Sequence, residues 1–212
     1  MFGSYAKSYY LCNMDKNMME FYKAALSGAL STPLCSEYKA SWRKCGDDKE
    51  MLITLAMNQQ AIPYVATHAH KGLGLTKSYI KKSFKDYING HIVYGADGVD
   101  GYSYALYVDW DYSNDLVVNT DVASIMWTKD ANIVIPETKC PTIYISNKST
   151  VMLDCCGFNS VNIKMFDDSK LIITELDENS MVTVFKYSDK ASVEADKFCL
   201  GKVNEFRKEL RL

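Results

Sequence analysis

From Ala131 onward the apolar positions fall on a ten-residue beat. Cut in tens, the chain reads ANIVIPETKC, PTIYISNKST, VMLDCCGFNS, VNIKMFDDSK, LIITELDENS, MVTVFKYSDK and ASVEADKFCL. The third slot holds Ile133, Ile143, Leu153, Ile163, Ile173, Thr183 and Val193. The first holds Val151, Val161, Leu171 and Met181, and the fifth holds Ile135, Ile145, Cys155, Met165 and Phe185. Slots nine and ten are small or polar, as at Ser149, Asn159, Ser160, Ser169, Asn179, Ser180 and Asp189. Alternation inside each ten is strand patterning, and its recurrence at fixed spacing marks a repeat architecture.

Short strands at this spacing also occur in antiparallel meanders and sandwiches. Two features favour a parallel solenoid instead. The apolar slots keep odd parity across every corner, and the polar corner returns in the same slots. Stacked coils require both, because equivalent positions lie on one another and point inward together. Asn-Gly and Asp-Gly hairpin turns are absent between the units, which counts against tight antiparallel reversals. Ten residues give roughly 33 Å of extended chain. That is short for a filled coil, so about two tens are expected per turn. The hexapeptide beat and the Gly-Gly-x-Gly-x-Asp calcium nonapeptide are missing.

Upstream of Gly90 the spacing is helical. Asp15 is placed to cap a helix carrying Met18, Met19, Tyr22, Ala25 and Leu26. SEYKASWRKCG sets Tyr38, Trp42 and Cys45 on one face and stops at Gly46. Asp47 or Asp48 opens DKEMLITLAMNQQAIPYVATHAH, interrupted at Pro63. Thr76 opens KSYIKKSFKDYING, with an apolar stripe of Tyr79, Ile80, Phe84, Tyr87 and Ile88 ended by Asn89-Gly90. Strand alternation follows through Tyr102, Tyr104, Leu106, Val108 and Trp110. The expected fold class is α+β, an N-terminal helical cap followed by a C-terminal parallel β-solenoid (β-helix). The expected divisions are a helical domain over 1–90, a transitional β segment over 91–130, the solenoid over 131–200 and a closing cap over 201–212. Ile143, Leu153, Val161, Ile163, Leu171 and Ile173 are the expected solenoid core.

The 212 residues suit one large domain or two small ones. No apolar run approaches the length of a membrane span, and no secretory leader pattern is present. The chain is therefore expected in the cytoplasm of its host, or in a virion, and not secreted. Seven cysteines at irregular spacing (Cys12, Cys35, Cys45, Cys140, Cys155, Cys156, Cys199) suit reduced, mostly buried thiols rather than a disulfide framework. Charge is divided unevenly about a net −2: residues 1–90 carry 12 Lys/Arg against 7 Asp/Glu, and residues 91–200 carry 8 against 17. Such a dipolar chain can meet an unlike surface or its own copies, and a homo-oligomer is expected.

Candidate chemistry is sparse. Lys77, Lys81, Lys82 and Lys85 line one helix beside Tyr79 and Tyr87, which suits nucleic acid; a solvated helix face is the plainer account. Arginine, the residue best fitted to read guanine, is confined to Arg43, Arg207 and Arg211. His68-x-His70 and His91 lack a cysteine or carboxylate at ligand spacing. DWDYSND places Asp109, Asp111, Ser113 and Asp115 like a calcium loop, but Asn114 and Thr120 occupy its essential glycine and glutamate positions. Cys155-Cys156 has no neighbouring histidine base, so packing is its expected role. Asp154, Asp167-Asp168 and Asp177-Glu178 read as solubilising corner charges. No P-loop, dinucleotide fingerprint, nucleophile elbow or HExxH motif is present, so no cofactor and no enzymatic activity are expected.

Three stretches carry a family resemblance: LCSEYKASWRKCGDDKEMLITLAMNQQAIPY, GLTKSYIKKSFKDYING, and VFKYSDKASVE running into EFRKELRL. Together they resemble a group of short proteins encoded by gut Bacteroidales and by their phages, including crAss-like phages. The resemblance is one of layout after about residue 17 and brings no active-site residue with it. It implies a virion component such as a head fibre or decoration, or a small accessory protein acting on host machinery. The partners expected are other proteins, of virion or host, and not a membrane. Nucleic acid, met through the basic helix 77–88 of an anti-defence protein, is the alternative.

Overall fold

A computed structural model describes residues 16, 19, 22–23, 36–46, 48–57, 77–94, 102–111, 113–155, 157, 159–199 and 202–208. Among the described residues, three short helices with continuous bounds precede a parallel β-solenoid of about five turns. The helices are α1 (Ser36–Lys44), α2 (Lys49–Met57) and α3 (Lys77–Ser83). The strands are β1 (Ile92–Tyr94), β2 (Ser103–Val108), β3 (Leu116–Val117), β4 (Val122–Met126), β5 (Lys129–Ile135) and β6 (Thr142–Ser146). They continue as β7 (Thr150–Cys155), β8 (Ser160–Met165), β9 (Lys170–Leu176), β10 (Met181–Lys186), β11 (Ser192–Ala195) and β12 (Val203–Arg207).

Successive strands alternate between two sheets. The first has the order β1-β2-β4-β6-β8-β10-β12 and the second β11-β9-β7-β5-β3. Every pairing is parallel except β1 with β2, which is antiparallel. One coil is thus one strand of each sheet. Ile143 lies beside Ile163, twenty residues on, which makes two tens to the turn.

The interior is a continuous aliphatic stack. Ala105, Ala123, Ile143, Ile163 and Val184 form one column of the first sheet. Leu116, Ile133, Leu153 and Ile173 form the facing column of the second. All nine belong to the buried core, as do Val161 and Leu171. Burying aliphatic side chains of this size contributes roughly 1.5–3 kcal/mol each before chain entropy is counted.

The corners are small because their side chains bond to the backbone. The Ser149 hydroxyl donates to the Ser146 carbonyl at 2.6 Å and accepts from the Thr128 amide of the preceding coil at 3.2 Å. Ser169 donates to the Phe166 carbonyl at 2.7 Å, and Ser180 to the Gly157 carbonyl at 2.6 Å. Asn159 ties one corner to the coil before it, donating to the Pro136 and Lys139 carbonyls at 2.9 and 3.1 Å. Where the chain leaves the first sheet it enters the left-handed region, at Asp109 (φ 53°), Trp127 (52°), Asn147 (56°) and Asp167 (56°). Asn and Asp tolerate this conformation; Trp127 does so at a cost of about 1–2 kcal/mol.

The ten-residue beat does not keep its phase to the end. The β7–β9 pairing shifts after Leu153, where Asp154 lies opposite Glu175 and Thr174 is the extra residue. A slip of one residue turns the side chains of the next strand, β10, to the other face, and parity returns in β11, where Val193 lies beside Leu171 and packs on the core. Val182 and Val184 therefore point inward, fully buried, while Met181 is 46% exposed. The inward positions expected for Met181, Thr183 and Phe185 are corrected accordingly. Ser180, one slot later than Ser149 and Ser169, takes the buried corner for the same reason.

Parallel coiling also begins earlier than residue 131. In the 91–130 segment β2 pairs with β4, and β3 with β5. Tyr107 lies beside Ile125 and Leu116 beside Ile133, so this first coil takes 18 and 17 residues and hides the beat. In the 201–212 segment, Val203–Arg207 is a strand added to β10.

Candidate interaction surfaces

The helices are built by local signals. Asp48 caps α2, accepting from the Met51 amide at 3.0 Å. Gly46 closes α1 in the left-handed conformation (φ 55°). The stripe expected as one helix over 77–88 breaks at Phe84 and finishes as a 3-10 turn, Lys85–Tyr87. Trp42, Leu52, Leu55, Ile80, Phe84 and Ile88 are buried in this layer. Cys45 is buried with them, and desolvation, aided by the Asp48 charge, pushes its thiol up to about 12. Asp15 and most of its segment lie outside the described residues, as do the side chains of Tyr38 and Tyr79. Tyr22 is buried, and its hydroxyl donates to the Arg43 carbonyl at 3.4 Å.

Helix α2 lies against β1 and β4, and α3 against β2. On β4 all five residues are buried; Ala123 and Ile125 belong to the solenoid core, leaving Val122, Ser124 and Met126 on the opposite face. The strand edge of β2 is closed by β1 and by Asn89, whose amide donates to Leu106 and whose side chain bonds both backbone groups of Val108.

This layer uses two of the four candidate lysines. Lys77 and Lys81 both pair with Asp109 at the first corner, at 2.9 and 2.7 Å. Hydrogen bonds from Lys81 and then Lys77 hold the Asp109 carboxyl below the usual carboxylate range, against a smaller opposing effect of burial. Lys82 and Lys85 are exposed.

Further along the same sheet the outer face carries aromatic rings and lysines. One column runs Leu106, Ser124, Tyr144, Lys164, Phe185, Phe206. Ser124 is buried where the helices lie, and Phe206 is 49% exposed at the far end. Lys164 Nζ donates to the Tyr144 hydroxyl at 3.1 Å and sits 5.0 Å from the Tyr144 ring centroid. Desolvation lowers the Lys164 ammonium, and burial beside Tyr187 pushes the Tyr144 hydroxyl well above the usual phenol range. Beside this column Phe166 stacks between Tyr144 and Tyr187, at 6.4 and 4.9 Å. Phe185 stacks on Phe206 at 5.5 Å, with Lys208 Nζ 5.4 Å from the Phe185 ring. The slip at Thr174 is what brings Phe185 outward into this ladder. Its sequence signal is a doubled period, from Tyr144 to Lys164, Phe185 and Phe206, invisible to a reading in single tens.

The remaining candidates are structural where they are described. Asp111 accepts from the Ser113 amide at 3.0 Å, the Trp110 indole donates to the Asn114 carbonyl at 2.9 Å, and Asp115 accepts from Asn132. DWDYSND is thus a polar turn tied to its neighbours. His68, His70 and Cys156 lie outside the described residues; His91 lies edge-on to Tyr87 at 5.4 Å. Cys155 is buried in the solenoid core. Asp167 accepts from the Asn147 amide at 3.0 Å, and Asp168 faces Lys190 at 3.7 Å. Among the described residues no group of His, Cys, Asp and Glu could hold a metal ion, and no helix is long and apolar enough to cross a membrane.

The last coil has a different character. β12 ends the first sheet, and no described strand pairs with its outer edge. Glu205 stacks on Val184, and Arg207 on Lys186, so charge occupies the inward positions. Glu205 pairs with Lys186 at 2.8 Å, and Arg207 with Asp189. Phe198, in the turn after β11, is 91% exposed. Compared with protein-family models, curated proteins and solved structures, the chain matches none.

Proposed function

We propose that this chain is a non-enzymatic structural or adaptor protein, encoded by a phage or mobile element, whose solenoid is a stiff support for protein contact. Its place in that reading is in the virion, as a head fibre or decoration component. The observation that supports it best is the outer face of the first sheet. Side chains that elsewhere serve chemistry are used by the fold itself: Asp109 holds two lysines, the corner serines hold backbone carbonyls, and Cys155 fills the core. On this face the large side chains toward the far end are instead the half-buried Phe185 and Tyr187 and the exposed Phe206, with Phe185 and Phe206 on strands that pair in register. A rigid aromatic row with lysines beside it is suited to protein recognition, where aromatic side chains supply most of the contact energy.

Mass spectrometry of purified particles tests the virion role. The chain is expected at stoichiometric copy number, and Phe185→Asp, folded by circular dichroism, is expected to be lost from particles. Particles that lack the wild-type chain would overturn the assignment. Binding through Lys77, Lys81, Lys82 and Lys85 stands second, because Asp109 already engages Lys77 and Lys81 and offsets one of their two charges. Nucleic-acid affinity that falls steeply with salt and drops on Lys82→Glu would reverse that order.

A further inference from the structure

The outer edge of β12, which no described strand pairs with, is self-complementary, and we infer that it pairs antiparallel with β12 of a second copy to form a two-fold, end-to-end dimer. The inference deepens the protein-contact reading above and rests on it for the kind of partner. The Lys208 amide donates to the Lys186 carbonyl at 2.9 Å. Backbone groups alternate in direction along a strand. Those of Asn204, Phe206 and Lys208 therefore face β10, while those of Val203, Glu205 and Arg207 face the open edge. Hydrogen-bonded pairs across a new antiparallel ladder must join odd-numbered residues to odd-numbered residues. Four close registers satisfy this, and the one centred on Asn204 sets Glu205 against Val203 and pairs no opposite charges. Centring on Glu205 sets glutamate against glutamate, and centring on Arg207 sets arginine against arginine. Centring on Phe206 sets Glu205 against the second copy's Arg207, twice by symmetry, and lays Phe206 beside its own counterpart.

Opposite charges directly across a ladder stabilise it and like charges oppose it, so charge selects the Phe206-centred register. The same register carries the Phe185–Phe206 stack across the axis on the outer face. The present partners of Glu205 and Arg207 do not stand in the way: the Arg207–Asp189 pair is largely exposed and the Glu205–Lys186 pair partly so, and such pairs are worth little. The other end of the sheet offers no equivalent match. There the edge is β1, Ile92-Val93-Tyr94, which has no charge to meet Glu205 or Arg207. The contact is isologous and closes at two copies.

Charge reversal on the full-length chain tests the register. Sedimentation or light scattering at about 100 μM, where a dimer of micromolar affinity is nearly complete, is expected to give twice the monomer mass for wild type. Glu205→Arg places arginine against arginine, and Arg207→Glu places glutamate against glutamate. Each variant alone is expected to be monomeric with an unchanged far-ultraviolet spectrum. Mixed in equal amounts they are expected to recover the dimer, since every cross-strand pair is then of opposite sign. Phe206→Cys is expected to form an intermolecular disulfide, and Asn204→Cys, whose counterpart would be Lys208, is not. A monomeric wild type, higher assemblies, or single variants that dimerise as wild type does would overturn the inference. A monomer still found in particles would sink the dimer and leave the virion role standing; a dimer absent from particles would do the reverse.

Discussion

Strands β4 and β12 occupy equivalent places in one sheet, run in the same direction and belong to the same columns, yet their surroundings are opposite. All of Val122–Met126 is buried, whereas four of the five residues of Val203–Arg207 are exposed. The sequences differ to match. VASIM is apolar or small throughout, as a strand covered on both faces requires. VNEFR keeps one aromatic on the outer column and puts Glu205 and Arg207 in inward positions that no described coil covers. Charge at the last layer is a common way to stop edge-to-edge aggregation. Here its spacing also discriminates among pairing registers. A solenoid repeats its backbone, so the side chains alone mark where the rod is clad, bare or finished.

The largest way to break this comparison is inside the rod. Ile163→Asp buries a charge in the column between Ile143 and Val184 and is expected to cost about 4 kcal/mol or more. Denaturant unfolding should show loss of the solenoid signal.

Ser124→Lys comes next. It puts in the helix-covered part of the outer column the residue that the half-buried Lys164 supplies further along it. Stranding that ammonium beneath the helices should cost roughly 2–3 kcal/mol. Hydrogen exchange should rise in α1–α3 while β6–β10 stay protected; unchanged exchange in the helices would mean that they do not cover this column.

A smaller effect is expected of Asp109→Asn, below about 1 kcal/mol for so exposed a pair. Asparagine keeps the left-handed corner, so only the charge is lost. The folded Asp109 carboxyl lies below its ordinary 3.8. Its contribution is therefore whole above that value and is lost as pH falls through the folded value. Stability curves of wild type and variant should part at neutral pH and converge at the acid end.

Asp168→Ala should change melting by no more than about 0.5 kcal/mol. If it matched Ile163→Asp, the division of inward from outward positions would be wrong.

The solenoid was legible in the sequence wherever the coil is twenty residues long. Ile143, Leu153, Ile163 and Ile173 recur every ten residues because each coil has two strands, and their inward parity follows from the two-residue pleat. Ser149 and Ser169 marked the corners for an equally local reason, since each bonds a carbonyl three residues back. Legibility failed where coil length changed. The shorter first coil hid that β2 and β3 belong to the solenoid, and one extra residue at Thr174 reversed the faces of β10 without disturbing the look of MVTVFKYSDK. The aromatic ladder was hidden because its members are a full coil apart.

What the sequence alone determined is the direction each side chain takes relative to its own backbone, and hence the presence of a coil with an aliphatic interior. Alternation and corner bonding are local, so one stretch of text suffices to encode them. Tertiary structure decided which outward face is clad, which lysines Asp109 holds, and which edge is left open. Those outcomes depend on residues far apart in the chain, such as Lys81 and Asp109 or Ser83 and Lys49, whose meeting no local period records.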